Sequence, residues 1–281
     1  MSAGFGERLR AVIAERGRLC VGIDPHEHLL TQWGLDASAA GAREFGLRVV
    51  DAAAGRAGIV KPQVAFFERF GSAGYAALED VLAASRAAGL LVIADAKRGD
   101  IGSTMDAYAR AWLTPGSPLE ADALTVNPYL GVGSLGDTVT LALAHGKGLF
   151  VLAATSNPEA AELQTGRVGA RTVAGRVVAD VTELNTRTTQ AGEWGSIGLV
   201  VGATVDRAAF GLPEAITPAA PILAPGFGHQ GATLSDLAAL FGSLAPAVVA
   251  SESRGILSGG AAEVADRIQA RVDQLEEAAH G

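Results

Sequence analysis

Eight short apolar runs, continuous rather than alternating, recur along the 281 residues of this chain and leave it few folds to adopt. They are LCVGID (19–24), GIVKP (58–62), LLVIADAK (90–97), ALTVN (123–127), GLFVLAAT (148–155), IGLVVGAT (197–204), PILAPG (221–226) and AVVASES (247–253). Patterns with helical spacing fill most of the intervals, at 38–54, 72–88, 104–113, 134–144, 169–190, 234–241 and 260–278, with Gly or Pro at many junctions. Strands that are apolar on both faces and followed by helices imply a parallel sheet covered on its outer side. Eight such units favour a closed (β/α)₈ TIM barrel over an open doubly wound sheet. One α/β barrel of about 250 residues uses nearly the whole length, so residues 1–281 read as a single domain. Hydrophobic residues at 49% and charged residues at 19% suffice for a large core, and no repeat, linker or low-complexity tract divides the chain.

A barrel of this kind carries its active site at the C-terminal ends of its strands. The polar residues inside or just after the apolar runs gather there: Asp24, Lys61, Asp95, Lys97, Asn127, Thr155, Ser156, Thr204, Ser251 and Arg254. The stretch VIADAKRGDIGST (92–104) is the extreme case, a buried strand that ends in Asp95, Lys97, Arg98 and Asp100. Alternation along the strand turns Asp95 and Lys97 to one side, the barrel interior, while Asp100 follows Gly99 outside the strand. An Asp-x-Lys pair can be a salt bridge that only caps the barrel. Lys61, one strand away, favours a catalytic array, because alternating carboxylates and ammoniums keep each other ionised. Such an array suits a reaction in which an anion develops beside a proton donor.

Other features narrow the function. A net charge of −8 without a basic run argues against nucleic-acid binding. Cys20 is the single cysteine, which excludes an internal disulfide and fits a reducing compartment; within LCVGID it reads as strand packing. The N-terminal segment lacks the apolar core of a signal peptide and no window approaches a membrane span, so a cytoplasmic protein is expected. Two stretches match G-x-G-x-x-G. GVGSLG (131–136) reads as a loop before a helix, whereas GFGHQG (226–231) follows the seventh strand, where barrels build phosphate sites. Arg254, after the eighth strand, can add a bidentate contact to such a phosphate, and Gln230 is a candidate phosphate or base contact. His26 and His28 form an H-x-H pair, but no histidine stands on the fifth or sixth strand to complete a hydrolase metal site.

These residues resemble a known signature. DAKRGDIGST is similar to the motif of the orotidine 5'-phosphate decarboxylases, with Asp95, Lys97, Asp100, Ile101 and Thr104 in register. GIDP (22–25), VKPQ (60–63), VNPYLG (126–131), ATSNP (154–158), VGAT (201–204), APGFGHQGA (224–232) and SRGI (253–256) continue the resemblance in order, with the wording of the family's second bacterial subgroup. The resemblance implies a (β/α)₈ homodimer with shared active sites that removes CO₂ from orotidine 5'-monophosphate to give UMP, without metal or organic cofactor. It implies that Asp24 and Lys61 hold the ribose hydroxyls and that Asp95 faces the substrate carboxylate while Lys97 protonates C6. Asp100 and Thr104 would reach into the neighbouring subunit's site. Ile101, Ser156, Pro225 and Gln230 would be substrate-binding residues, and Arg254 would bind the phosphate.

Two alternatives stand beside this reading. A sister barrel enzyme, a 3-keto-gulonate-phosphate decarboxylase or hexulose-phosphate synthase, shares the Asp-x-Lys-x-x-Asp strand but stabilises an enediolate with Mg²⁺ held by a Glu at the end of the second strand. Lys61 occupies that place here, and a cation there would repel the metal. A catalytically silent nucleotide-binding protein would not need Lys97.

Overall fold

The computed structural model describes residues 3–228 and 231–280. Eight parallel strands close into one barrel: β1 (Leu19–Ile23), β2 (Ile59–Pro62), β3 (Leu91–Arg98), β4 (Ala123–Val126), β5 (Gly148–Ala154), β8 (Ile197–Val201), β9 (Ile222–Pro225) and β10 (Val248–Glu252). The remaining two strands, β6 (Arg167–Val168) and β7 (Arg171–Thr172), form a separate two-stranded hairpin between β5 and β8. Closure is made by β1 against β10, with Leu19, Cys20 and Val21 opposite Ala250, Ser251 and Glu252. All eight expected runs are barrel strands.

The period of two along each strand sorts the residues into two shells. Cys20, Ile59, Leu91, Ile93, Ala123, Phe150, Val200, Leu223 and Val249 pack together inside the barrel. Their neighbours Leu19, Val21, Val60, Val92, Leu124, Leu149, Val151, Leu199, Val248 and Ala250 belong to the outer core under the helices. The same period continued upward sets the next inward layer: Lys61 above Ile59, Asp95 above Ile93, Thr125 above Ala123, Pro225 above Leu223 and Ser251 above Val249. The polar site is therefore the top layer of an otherwise apolar interior.

The lower end is closed by the helix Phe5–Arg16, which places Phe5 and Leu9, both fully buried, in the interior cluster. Phe5 meets Phe150 edge to face, with ring centroids 5.9 Å apart. Gly148 leaves room for it, because a Cβ there would overlap the Phe5 ring. Outer helices follow most strands, among them Ala39–Ala53 and Val173–Thr188, whose first turns are capped by Ser38 and Thr172 accepting from the backbone N–H of Gly41 and Gly175. The link from β8 to β9 is built of turns, and β5 is followed by an extra short helix, Pro158–Thr165, before the hairpin. GVGSLG is a loop leading through a 3₁₀ turn into the helix Gly136–Ala144.

Candidate active site

A cavity of about 840 Å³ opens at the C-terminal ends of the strands. Of the strand-end polar residues singled out above, all but Thr204 line it; Thr204 is exposed. Asp95 is the centre of the site. Its Oδ2 accepts from Lys61 Nζ at 2.9 Å, and its Oδ1 accepts from Lys97 Nζ at 2.6 Å and from Thr125 Oγ1 at 2.9 Å. Lys61 and Asp95 are both buried, whereas the Lys97 side chain is 46% exposed and faces the cavity.

Burial alone pushes the Asp95 carboxyl upward, but the Lys61 and Lys97 ammoniums outweigh it and hold the group well below the usual carboxylate range. Burial likewise pulls Lys61 down, and the charges of Asp95 and then Asp24 overcome it, so this ammonium is held above the ordinary lysine value. The chain Lys61–Asp95–Lys97 is thus a fixed array of alternating charge. Cys20, in the layer below, is a buried thiol pushed up to about 12 by burial against the partly opposing pull of Lys61, which leaves it an inert packing residue.

Lys97 reaches its position through an irregular backbone. Its φ of 49° lies in the left-handed region, and the pairing of β3 with β4 shifts register between Ala94 and Arg98. The Lys97 N–H donates to Thr125 Oγ1 at 2.9 Å in place of a regular ladder bond. The bulge also turns Arg98 away from the site, where it pairs with Glu68 at 2.5 Å and lies over the Tyr108 ring. Of the four charges in VIADAKRGDIGST, Asp95 and Lys97 line this chain's cavity and Arg98 and Asp100 do not. Asp100 is half-buried with Oδ1 accepting from the Ile101 N–H at 2.8 Å, and Asp100, Ile101 and Thr104 do not line this chain's cavity.

Along the wall formed by the ends of β1, β9 and β10, two buried oxygens, Asp24 Oδ1 and Ser253 Oγ, have no partner among the described residues. Pro225, Gly226, Phe227 and Arg254 line the same wall. Gly226, Gly228 and Gly231 all have positive φ, and the loop folds back on itself through Gly228 N–H to Ala232 O at 2.8 Å and Gly231 N–H to Gly228 O at 3.0 Å. Arg254 makes no ion pair among the described residues, so its guanidinium is available to an anion. Gln230, with His229, lies outside the described residues. His26 of the H-x-H pair rests its ring on Phe66 at 4.1 Å. Among the described residues no group of three or more His, Cys, Asp or Glu surrounds a common point.

Sequence reasoning missed several lining residues. Thr125 was open to discovery, since it is a polar residue at an inward position of an apolar strand. Gln164 was not, because it belongs to the short helix after β5, from which its Oε1 accepts from the Thr155 N–H at 2.8 Å and its Nε2 donates to Thr155 Oγ1 at 3.0 Å. Together with Ser156 and Leu163, it lines the cavity beyond the end of β5.

Residues 17–265 match the family model described as orotidine 5'-phosphate decarboxylase / HUMPS. Among curated proteins, the chain is 52% identical over 264 residues to the orotidine 5'-phosphate decarboxylase of Salinispora tropica, covering 94% of this chain and 93% of that one. It is 54% identical over 257 residues to the protein of that name from a Nocardioides species, covering 90% and 91%. Among solved structures, a Streptomyces avermitilis protein provisionally named orotidine 5'-phosphate decarboxylase superposes with a TM-score of 0.93 at 46% identity, covering 100% of this chain and 97% of that one. The OMP decarboxylase of Leishmania donovani superposes with a TM-score of 0.76 at 30% identity, covering 99% of each.

Proposed function

This chain belongs to the orotidine 5'-phosphate decarboxylase / HUMPS family, and from that premise we propose that it decarboxylates orotidine 5'-monophosphate to UMP and CO₂, in UMP biosynthesis, by the chemistry of its charged array. The observation that carries the reading is the Lys61–Asp95–Lys97 chain lining the cavity, its first two members buried and Lys97 open to the cavity. Loss of CO₂ leaves an electron pair on C6 with little resonance delocalisation, so the barrier must fall through electrostatics and positioning. The Lys97 ammonium, fixed by Asp95, stabilises that charge as it forms and then delivers its proton to C6. The new C6–H bond takes the electron pair left by the broken C–C bond, and CO₂ departs without a redox partner. Asp95 lies beside the departing carboxylate and holds both lysine side chains in place.

The remaining assignments follow from which groups line the cavity and on which side of it. Asp24, with an unsatisfied buried oxygen, and Lys61 suit the ribose hydroxyls. Pro225, the glycine loop that contains Gln230, and Arg254 suit the phosphate, while Ser156 suits the pyrimidine. Gripping a phosphate remote from C6 lets binding energy assist the chemical step. Asp100, Ile101 and Thr104 serve a neighbouring subunit in a homodimer, which their position outside this chain's cavity supports: Thr104 is exposed and Ile101 is 61% exposed. The site of action is the cytoplasm, and no helix among the described residues is long and apolar enough to cross a membrane. Residues 1–281 act as one catalytic domain with no metal or organic cofactor. Lys61 at the end of β2 disfavours the Mg²⁺-dependent sister chemistry, since a buried ammonium at that point repels a divalent cation.

The test is loss of orotidine 5'-monophosphate absorbance in the presence of EDTA, for the parent and for Lys97→Ala. Metal-independent turnover by the parent is expected, together with a variant that still binds UMP but has lost nearly all kcat. Silence of the parent, or dependence on added Mg²⁺, rejects the decarboxylase reading; a variant that keeps a substantial fraction of kcat rejects Lys97 as the proton donor.

A further inference from the structure

We infer that Glu252, braced by Arg271, is the strut that sets the spacing of the two loops that hold the substrate phosphate; the inference rests on the phosphate assignment above. Glu252 is the last residue of β10 and, by strand alternation, points away from the cavity that Ser251 and Ser253 line on either side of it. The other outward positions of this strand are Val248 and Ala250, ordinary core residues, so packing alone does not call for a carboxylate. Yet Glu252 is only 2% exposed. Burying a carboxylate is costly unless it is paired.

Its partner comes from the C-terminal helix Val264–His280, where Arg271 Nε lies 3.0 Å from both Glu252 oxygens. One of those oxygens, Oε1, also abuts two glycines from different loops. A Cβ on Gly228, in the loop after β9, would lie 2.6 Å from it, and a Cβ on Gly255, directly after Arg254, would overlap it. The carboxylate is thus wedged between the glycine loop and the Arg254 loop. The same helix ties down the second loop again, with Arg267 Nη1 donating to Gly255 O at 3.1 Å.

This arrangement makes Glu252 a positioning residue. It contacts no substrate, but its length fixes how far the backbone of Gly226–Gly228 stands from the Arg254 guanidinium. Arg271 cancels a negative charge that would otherwise oppose a phosphate monoester bound nearby. Gly228 and Gly255 lack a Cβ so that the carboxylate can approach both loops at once.

The experiment compares steady-state kcat/KM for orotidine 5'-monophosphate with that for orotidine, the same nucleoside without phosphate, in Glu252→Ala, Arg271→Ala and Glu252→Gln. A phosphate-loop strut predicts that the preference for nucleotide over nucleoside falls about tenfold or more in the two alanine variants and is largely restored in Glu252→Gln, which fills the same space. A role in general stability would lower both substrates together and leave the preference intact, and that result overturns the inference. Arg271 is one-third exposed, so Arg271→Ala carries the test alone if Glu252→Ala does not fold. Arg254→Ala separates the two levels of the argument. If it abolishes the preference while the Glu252 and Arg271 variants retain it, the strut is wrong and the phosphate site stands. If Arg254→Ala also retains the preference, the phosphate assignment falls and the strut falls with it.

Discussion

Asp95 accepts from Lys61, Lys97 and Thr125 at once, and its charge is what keeps two ammoniums together at the top of an apolar barrel. Its carboxyl titrates well below the ordinary value of about 3.9, so the stabilisation it confers is fully present above that pH and is lost as pH falls toward its folded value. Lys61 works in the opposite direction: held above the ordinary lysine value of about 10.4, it stabilises fully below that pH and loses its contribution as pH rises through its folded value. Asp95→Asn leaves Lys61 buried without its nearest counter-charge and is expected to cost about 3 kcal/mol at pH 7. Urea denaturation of both proteins should show that difference, and it should narrow below about pH 4, where the carboxyl takes up a proton in the unfolded parent while the folded one stays ionised. A difference that stays constant down to pH 2 would locate the loss elsewhere than in the charge. At this scale the sequence was informative where strand period governs: Lys61, Asp95 and Ser251 are inward positions at strand ends. It was uninformative where the backbone departs from that period. The bulge before Arg98 sends that residue outward to Glu68, and no local pattern in the sequence marks it.

Among the elements, the eight strands were legible because each is a continuous apolar run, whereas the helix Phe5–Arg16 was not anticipated. Its apolar positions are few, and its reason for folding is tertiary: it stoppers the lower end of the barrel with Phe5 and Leu9. Phe5→Ala opens a void against Phe150 and is expected to cost about 3 to 4 kcal/mol in a chemical melt. The stopper lies at the end of the barrel opposite the cavity, so kcat of the folded variant should remain within about twofold of the parent. A variant that melts like the parent would show that the lower end relaxes to fill the void. The short helix after β5 and the β6–β7 hairpin were equally hidden, because their placement depends on Gln164 folding back onto Thr155 and on Thr172 bonding to Phe210 O, contacts between segments that share no periodic pattern.

For the whole molecule, strand count and strand period together made the closed barrel and the end that carries the site readable in advance, whereas the number of chains needed to complete one site is not written in either. Asp95 and Lys97 turn into their own barrel, but Asp100, Ile101 and Thr104 stand outside its cavity, Ile101 being 61% exposed. A shared site gives a quantitative outcome. Lys97→Ala and Asp100→Ala homodimers, each inactive, are unfolded, mixed equally and refolded. Random pairing makes about half of the dimers mixed. If Asp100 serves the other subunit, each mixed dimer has one site with both lesions and one with neither, and activity recovers to roughly a quarter of the parent. If Asp100 serves its own subunit, every site keeps one lesion and nothing is recovered. Native mass spectrometry establishes that mixed dimers have formed, so an inactive mixture that contains them ends the shared-site reading while leaving Lys97 as the proton donor.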